Sequence, residues 1–279
     1  LDAGITTVAT GPGSANVIGG QFAVIKTYGN RIDDMIVNEC LAIKVAFGEN
    51  PKRVYYAQKK SPSTRMGTSA ILRENLIKAK IYVEKQTNAL ESSDKMPEFD
   101  MKMEALAKVI RKEIPLKAHV HRADDILTAL RIAKEFGVNI TLDHCTEGHL
   151  IVDYLKEGIQ KGIILGPSLS NRSKVELRNL TFKTPGILSR AGIKVAIMTD
   201  HPVVPLQYLP VCAGIAAREG MDEEEALKAI TINAAEILDI AGTVGSLEVG
   251  KDADIIIYSG HPFDLRSKVE FVIDRKSVV

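Results

Sequence analysis

Neither sign of charge is in excess in this chain: 36 Lys and Arg stand against 35 Asp and Glu, a net charge of +1. That balance removes any general attraction toward nucleic acid or an anionic membrane, so a charged ligand must be held by local groups. No apolar run approaches the roughly 20 residues that a membrane-spanning helix needs. The opening residues, Leu1-Asp2-Ala3-Gly4, lack the basic and then hydrophobic stretches of a leader, and the default expectation is a cytoplasmic protein. Cysteine is scarce: the three residues Cys40, Cys145 and Cys212 are odd in number and far apart, which suits reduced core thiols better than a disulfide framework. A dinucleotide fingerprint is missing as well, because Thr10-Gly11-Pro12-Gly13-Ser14 with Gly19-Gly20 fits an irregular loop rather than G-x-G-x-x-G opening a helix. No fixed-period repeat is visible.

What is present is a chain of 279 residues, 45% hydrophobic and 25% charged, enough for one large domain or one with a small satellite. Short apolar runs at Ile5–Val8, Phe22–Lys26 and Leu41–Phe47 read as strands. Spacing of Ile71, Leu72, Leu76, Ala79 and Val83 predicts an amphipathic helix from Ala70 to about Leu90, broken by Ser92 to Glu98, and Met101–Lys112 predicts another. From there strand and helix alternate: strand Leu116–Val120, helix Asp124–Phe136 stopped by Gly137, strand Val138–Leu142, helix His149–Lys156, strand Gly162–Leu165, helix Pro185–Ala191 and strand Val195–Met198. Such alternation predicts βαβ units and a parallel sheet. Asp222 with Glu225 begins a further helical pattern through Leu238. After Gly242 the texture changes to short strands and turns without helices, which places an expected domain boundary near residue 243, dividing the chain into 1–242 and 243–279.

The polar residues gather where strands end. Glu49 follows the third strand, His119 and His121 alternate on one face of the next, His144 follows another, and Asp200 stands where Val195–Met198 meets Pro202. Each has a plain structural reading: a solvated turn acid, packed core histidines, a capping aspartate. Together, imidazoles and carboxylates at corresponding strand ends suit a borderline divalent cation, with zinc the first candidate and manganese or iron open. Strand ends converge on one face of a barrel but spread along a crevice in a doubly wound sheet, so the set favours a barrel.

These residues resemble the amidohydrolase superfamily of metal-dependent barrel hydrolases, specifically its imidazolonepropionase-like and prolidase-like branch. The resemblance lies in Ala118-His119-Val120-His121, Leu142-Asp143-His144-Cys145-Thr146 and Met198-Thr199-Asp200-His201-Pro202. It is strongest in Thr231-Ile232-Asn233-Ala234-Ala235-Glu236-Ile237-Leu238 with Gly245-Ser246-Leu247-Glu248-Val249-Gly250-Lys251-Asp252-Ala253-Asp254. It implies an α/β fold, a (β/α)8 TIM-like barrel followed by part of a small β-sandwich. His119 and His144 are then metal ligands, and Asp200 is both ligand and proton shuttle. The family's His-x-His pair of the first barrel strand has no counterpart before His119, so the chain is expected to begin after that strand and to be a weak metal binder by itself. In place of the family's carboxylated lysine on the fourth strand, Glu49 is the expected substitute, with Lys59 or Lys60 as alternatives. Arg122, Arg65, His121 and His201 are the candidates for substrate contacts.

The implied reaction is hydrolysis of an amide or cyclic amide carbon-nitrogen bond in a small molecule, with a prolidase-like cleavage of a dipeptide as the alternative. A barrel retained as a non-catalytic binding or assembly scaffold is the rival from another class, and a homo-oligomer is compatible with either. Tail strands from about residue 243 are expected beside the barrel, with Ile255, Ile257 and Val272 partly uncovered.

Overall fold

A computed structural model describes residues 1–92, 95–275 and 277–278. Ser93 and Asp94, in the expected break between the two long helices, and Lys276 and Val279, in the expected tail, lie outside the described residues. In chain order the elements are β1 (Thr7–Thr10), β2 (Ile18–Lys26), α1 (Ile32–Met35), β3 (Ile36–Ala46), α2 (Glu49–Ala57), α3 (Arg65–Glu91) and α4 (Met101–Ile110). There follow β4 (Leu116–Val120), α5 (Ala123–Phe136), β5 (Ile140–His144), α6 (Val152–Gly158), β6 (Ile163–Leu165), α7 (Thr184–Arg190) and β7 (Val195–Ile197). The last part contains α8 (Leu209–Arg218), α9 (Glu223–Lys228), α10 (Ile232–Ile237), β8 (Ile255–Tyr258), β9 (Val269–Asp274) and β10 (Ser277–Val278).

A seven-stranded sheet runs in the order β1 to β7, curled as the half of a TIM-like barrel with helices around it. The pairs from β3 to β7 are parallel, as the strand-helix alternation predicts. The first three strands depart from that expectation, since β1 pairs β2 and β2 pairs β3 antiparallel. Their connections are too short to carry a crossover helix, so the chain can only return alongside itself.

Alternation along the strands sorts the side chains into two layers. Leu116, Ala118 and Val120 of β4 join Ile43, Val45, Leu142, Ile163, Leu165, Val195 and Ile197 in the main core beneath the helices. On the concave side Lys44 pairs across to Lys117, and His119 to Asp143. Farther along this side Ile164 and Ala196 meet Ile237 of α10, so a helix from late in the chain closes one end of the curl. α5 has acids Asp124 and Asp125 in its first turn and Lys134 in its last, and it stops at Gly137 with φ 65°. Those features oppose the helix dipole and relieve the left-handed C-cap.

The helix expected over Asp222–Leu238 is two shorter ones, α9 and α10, with Thr231 at φ −132° and ψ −103° between them. β8, β9 and β10 form a three-stranded antiparallel sheet. Of the three apolar residues expected to be partly uncovered, Ile257 is exposed and Ile255 half-buried, but Val272 is buried. The tail sheet is tied to the rest through Lys26 of β2, whose buried Nζ lies 2.6 Å from Asp254, 3.0 Å from Asp252 and 3.9 Å from Asp274. No helix among the described residues is long and apolar enough to cross a membrane.

Candidate metal centre

Three imidazoles meet on the concave side at the C-terminal ends of β4 and β5. The ring centroids of His119, His121 and His144 are 4.7, 4.3 and 4.6 Å apart, and one nitrogen from each lies within 4.8 Å of the others. His119 and His121 arrive by simple alternation along β4. His144 does not: its pairing places it level with Val120, whose side chain is in the outer core. A left-handed backbone at His144, φ 71°, followed by Cys145 at 43°, breaks the alternation and turns the imidazole to the other two. Asp200 has the same conformation, φ 50°. Lys59, Lys112 and Asp239 also have positive φ, but each sits just past a helix end, where that conformation is common. At His144 and Asp200 no helix end explains it, and such strain concentrates where chemistry requires a side chain to be aimed.

Hydrogen bonds fix the rings. His144 Nδ1 donates to the Gly166 carbonyl at 2.7 Å, which leaves Nε2 with its lone pair free. Gly166 can stand there because it has no Cβ: one would run into the Met198 carbonyl oxygen. His121 Nδ1 lies 2.8 Å from Thr146 Oγ1, again leaving Nε2. His119 Nε2 faces the Asn50 amide nitrogen at 3.2 Å. Burial pushes His119 and His121 well below the ordinary imidazole value of 6.5, and the neighbouring imidazoles and the charges of Lys44 and Lys174 push the same way. His144 is lowered too, mainly by burial, with the Asp200 carboxylate opposing. Neutral imidazoles with free nitrogens are the protonation state that a cation requires.

This has a consequence for the metal-free chain. The unfolded chain binds protons on these imidazoles below about pH 6.5 while the folded chain does not, so stability rises with pH in that range and is lost as pH falls. The loss is expected to be on the order of 1.4 kcal/mol per pH unit for each imidazole, beginning near pH 6.5 and ending where the folded-state groups finally titrate. Urea unfolding at successive pH values measures it, and a midpoint that stays constant through this range would contradict buried neutral imidazoles.

Beneath the imidazoles lies an ion group that the sequence reading missed. Asp143 is buried, 2.6 Å from Lys117 Nζ and 3.0 Å from Lys44 Nζ. The two lysines and His144 hold its carboxyl far below the usual range against the cost of burial. Burial pushes Lys117 down. The available signal was a lysine at an inward position of each apolar run, Leu41–Phe47 and Leu116–Val120.

The other candidates are placed differently. Asp200 is exposed at the end of β7, outside the converging imidazoles but close enough for its charge to act on His144. Glu49, expected to complete the ligand set, begins α2 instead, and its Oε1 accepts the backbone N–H of Glu176 at 3.1 Å. Lys59 and Lys60 are exposed beyond α2. Arg65 starts α3 and donates from Nε to both oxygens of the buried Asp125, at 3.1 and 3.0 Å. Arg122 is turned onto Asp124 at 2.9 and 3.0 Å. Both guanidinium groups therefore already have carboxylate partners, which weakens them as free substrate clamps. His201 is exposed. Lys174, Asn50 and Glu176 also line the approach to the imidazoles: Lys174 Nζ donates to Asn50 Oδ1 at 2.6 Å and lies 3.6 Å from Glu176 Oε1. Lys174 and Glu176 lie in the connection between β6 and α7 and Asn50 in the first turn of α2, and none of them carries a periodic signal.

A profile of the amidohydrolase family matches residues 43–279. The amidohydrolase tasK of Hapsidospora irregularis is 27% identical over 281 residues, covering 93% of this chain and 29% of that protein. The imidazolonepropionase of Alkaliphilus metalliredigens is 29% identical over 157 residues, covering 53% of this chain and 35% of its own. The chain thus spans well under half the length of these curated relatives. Among solved structures, an amidohydrolase from Thermotoga maritima matches with a TM-score of 0.96 and 46% identity, over 100% of this chain and 72% of that one.

Proposed function

The chain belongs to the amidohydrolase family, and from that premise we propose that it forms the catalytic part of a metal-dependent hydrolase that opens a carbon-nitrogen bond of an amide or cyclic amide. The observation that carries this reading is the group of three buried, uncharged imidazoles with nitrogens within 4.8 Å. Three histidines packed together, two of them with Nε2 left without a hydrogen bond, contribute little to a core that aliphatic side chains would fill, so a scaffold gives no account of them. His119, His121 and His144 fit a divalent cation, of which zinc is the first choice among nitrogen-preferring ions. Such an ion supplies Lewis acidity, lowering the pKa of water and polarising a carbonyl.

The chain's own groups have distinct parts in this reading. His144 keeps Nε2 aimed inward because Gly166 holds Nδ1. Asp200, exposed beside it, accepts the proton from the attacking water and returns it to the leaving nitrogen. Lys174, held by Asn50, is the cation placed to meet an anionic group on the substrate. The imidazolonepropionases among the relatives favour a cyclic amide over a linear dipeptide.

The experiment is metal analysis joined to an assay. Hydrolysis of cyclic and linear amides is measured with added zinc and after chelation, in the 279-residue chain and in a form extended at its N-terminus by a His-x-His strand. Turnover is expected to need the ion and to be much larger in the extended form. Hydrolysis that survives complete chelation in both forms would dispose of the metal-dependent reading.

A further inference from the structure

We infer that Glu176 supplies the anionic ligand of the imidazole centre, its Oε1 sharing a divalent cation with Nε2 of His121. The inference rests on the metal-dependent reading above and goes beyond its histidines. Glu176 sits in a single 3-10 turn, Val175–Leu177, in the connection between β6 and α7. Although it is a loop carboxylate, it is 0% exposed.

Dedicated contacts hold it there. The Glu49 backbone N–H donates to Glu176 Oε2 at 2.8 Å, and the Glu176 backbone N–H donates back to Glu49 Oε1 at 3.1 Å. Two glutamates 127 positions apart are thereby clasped. Gly48, at φ 79°, makes room: a Cβ at that residue would lie 2.5 Å from Glu176 Oε2 and 3.2 Å from Asp125 Oδ2. The clasp satisfies Oε2 and leaves Oε1 without a hydrogen bond, buried and 3.8 Å from His121 Nε2. Lys174 Nζ, at 3.6 Å, is drawn off by its bond to Asn50. A buried carboxylate oxygen left so costs about 1–3 kcal/mol or more, a cost that the fold has no packing reason to accept.

Distance decides which role fits. Two atoms bound to one ion at about 2.0–2.1 Å can stand no more than about 4.2 Å apart. His121 Nε2 and Glu176 Oε1, at 3.8 Å, already meet that bound, but they are too far apart for a direct hydrogen bond. The group of ligand atoms within 4.8 Å of one another holds the three imidazoles and not Glu176, so His119 and His144 have to move toward the His121 side to share the same ion. Charge points the same way. An imidazole brings no negative charge to a divalent cation, whereas Glu176 places a carboxyl group with no exposed surface beside His121.

Zinc binding by competition with a chromophoric chelator, together with the visible absorption of bound cobalt(II), tests this in the 279-residue chain, Glu176→Gln and His119→Ala. Glu176→Gln should raise the zinc dissociation constant by at least about tenfold and shift the cobalt bands. The glutamine carbonyl can still accept the Glu49 N–H, so unfolding of the metal-free form should change little. Unchanged affinity and spectrum in Glu176→Gln, alongside loss in His119→Ala, would overturn the role of Glu176 and leave the imidazole centre standing. Equal zinc affinity in all three proteins would overturn the metal reading and this inference with it. If Glu176→Gln does not fold, infrared difference spectra of the unsubstituted chain, isotope-labelled at its glutamate carboxyls, take its place. Zinc should shift a glutamate carboxylate band, and an unshifted spectrum overturns the inference.

Discussion

Replacing Asp200 by asparagine is expected to lower hydrolytic turnover by about 10²- to 10⁴-fold, the usual worth of a positioned proton acceptor. The fold should tolerate the change for a specific reason. Asp200 holds φ at 50°, and asparagine adopts that conformation about as readily as aspartate, so the end of β7 keeps its shape. The side chain is exposed, and no packing is lost. What disappears is a negative charge that acts on His144 and a group able to take a proton. The fall should therefore appear in kcat more than in KM. The assay belongs in the N-terminally extended form, where the starting rate is expected to be high. Turnover within a few-fold of the parent would remove Asp200 from the proton path.

The sequence made some of this arrangement legible and hid the rest for physical reasons. Alternation in Leu116–His121 is a local property, so it announced both that β4 is a strand and that His119 and His121 share a face. Gly137 marked the end of α5 because a left-handed C-cap is also local. His144 was found from its neighbours at a strand end. The strand runs two residues further than its apolar pattern, through Asp143 and His144, because a cation pair and a backbone turn compensate polar residues that periodicity assigns to a loop.

Glu49 illustrates the opposite case. Its position after an apolar run identified an acid near the site, but its contacts are with Glu176, and no pattern in one segment encodes which loop will fold over it. Gly48-Glu49-Asn50-Pro51 read as a turn, yet Glu49 begins α2; Pro51 in the first turn needs no hydrogen-bond donor and so admits the helix. The antiparallel start, β1 to β3, was hidden because alternation of strand and helix, the cue for parallel pairing, begins only at β4. Lys44 and Lys117 were passed over singly. A lone lysine in an apolar strand reads as an edge or a snorkelling side chain until its counterion is known.

That buried trio should dominate stability. Asp143→Leu is expected to cost about 5 kcal/mol, the upper end for breaking a buried ion pair, because it strands two ammonium groups at once. Lys44 and Lys117 are each almost fully buried and, among the described residues, pair only with Asp143. Phe22 lies 5.3 and 5.4 Å from the two nitrogens and offers a ring face, which offsets only a fraction of a carboxylate. The trio carries one more positive than negative charge, so its members are not equivalent. Removing Lys117, already pushed toward its neutral form by burial, should cost less than removing the shared carboxylate. Lys117→Met in the Asp143→Leu background should restore part of the loss, since it withdraws one of the stranded charges, and the cycle of single and double variants measures that coupling. Urea unfolding of the metal-free proteins near pH 7.5 keeps the imidazoles neutral and separates this effect from theirs. A loss under about 1 kcal/mol for Asp143→Leu would mean that water already reaches the lysines and that the concave side of the sheet is not the dry interior that their burial describes.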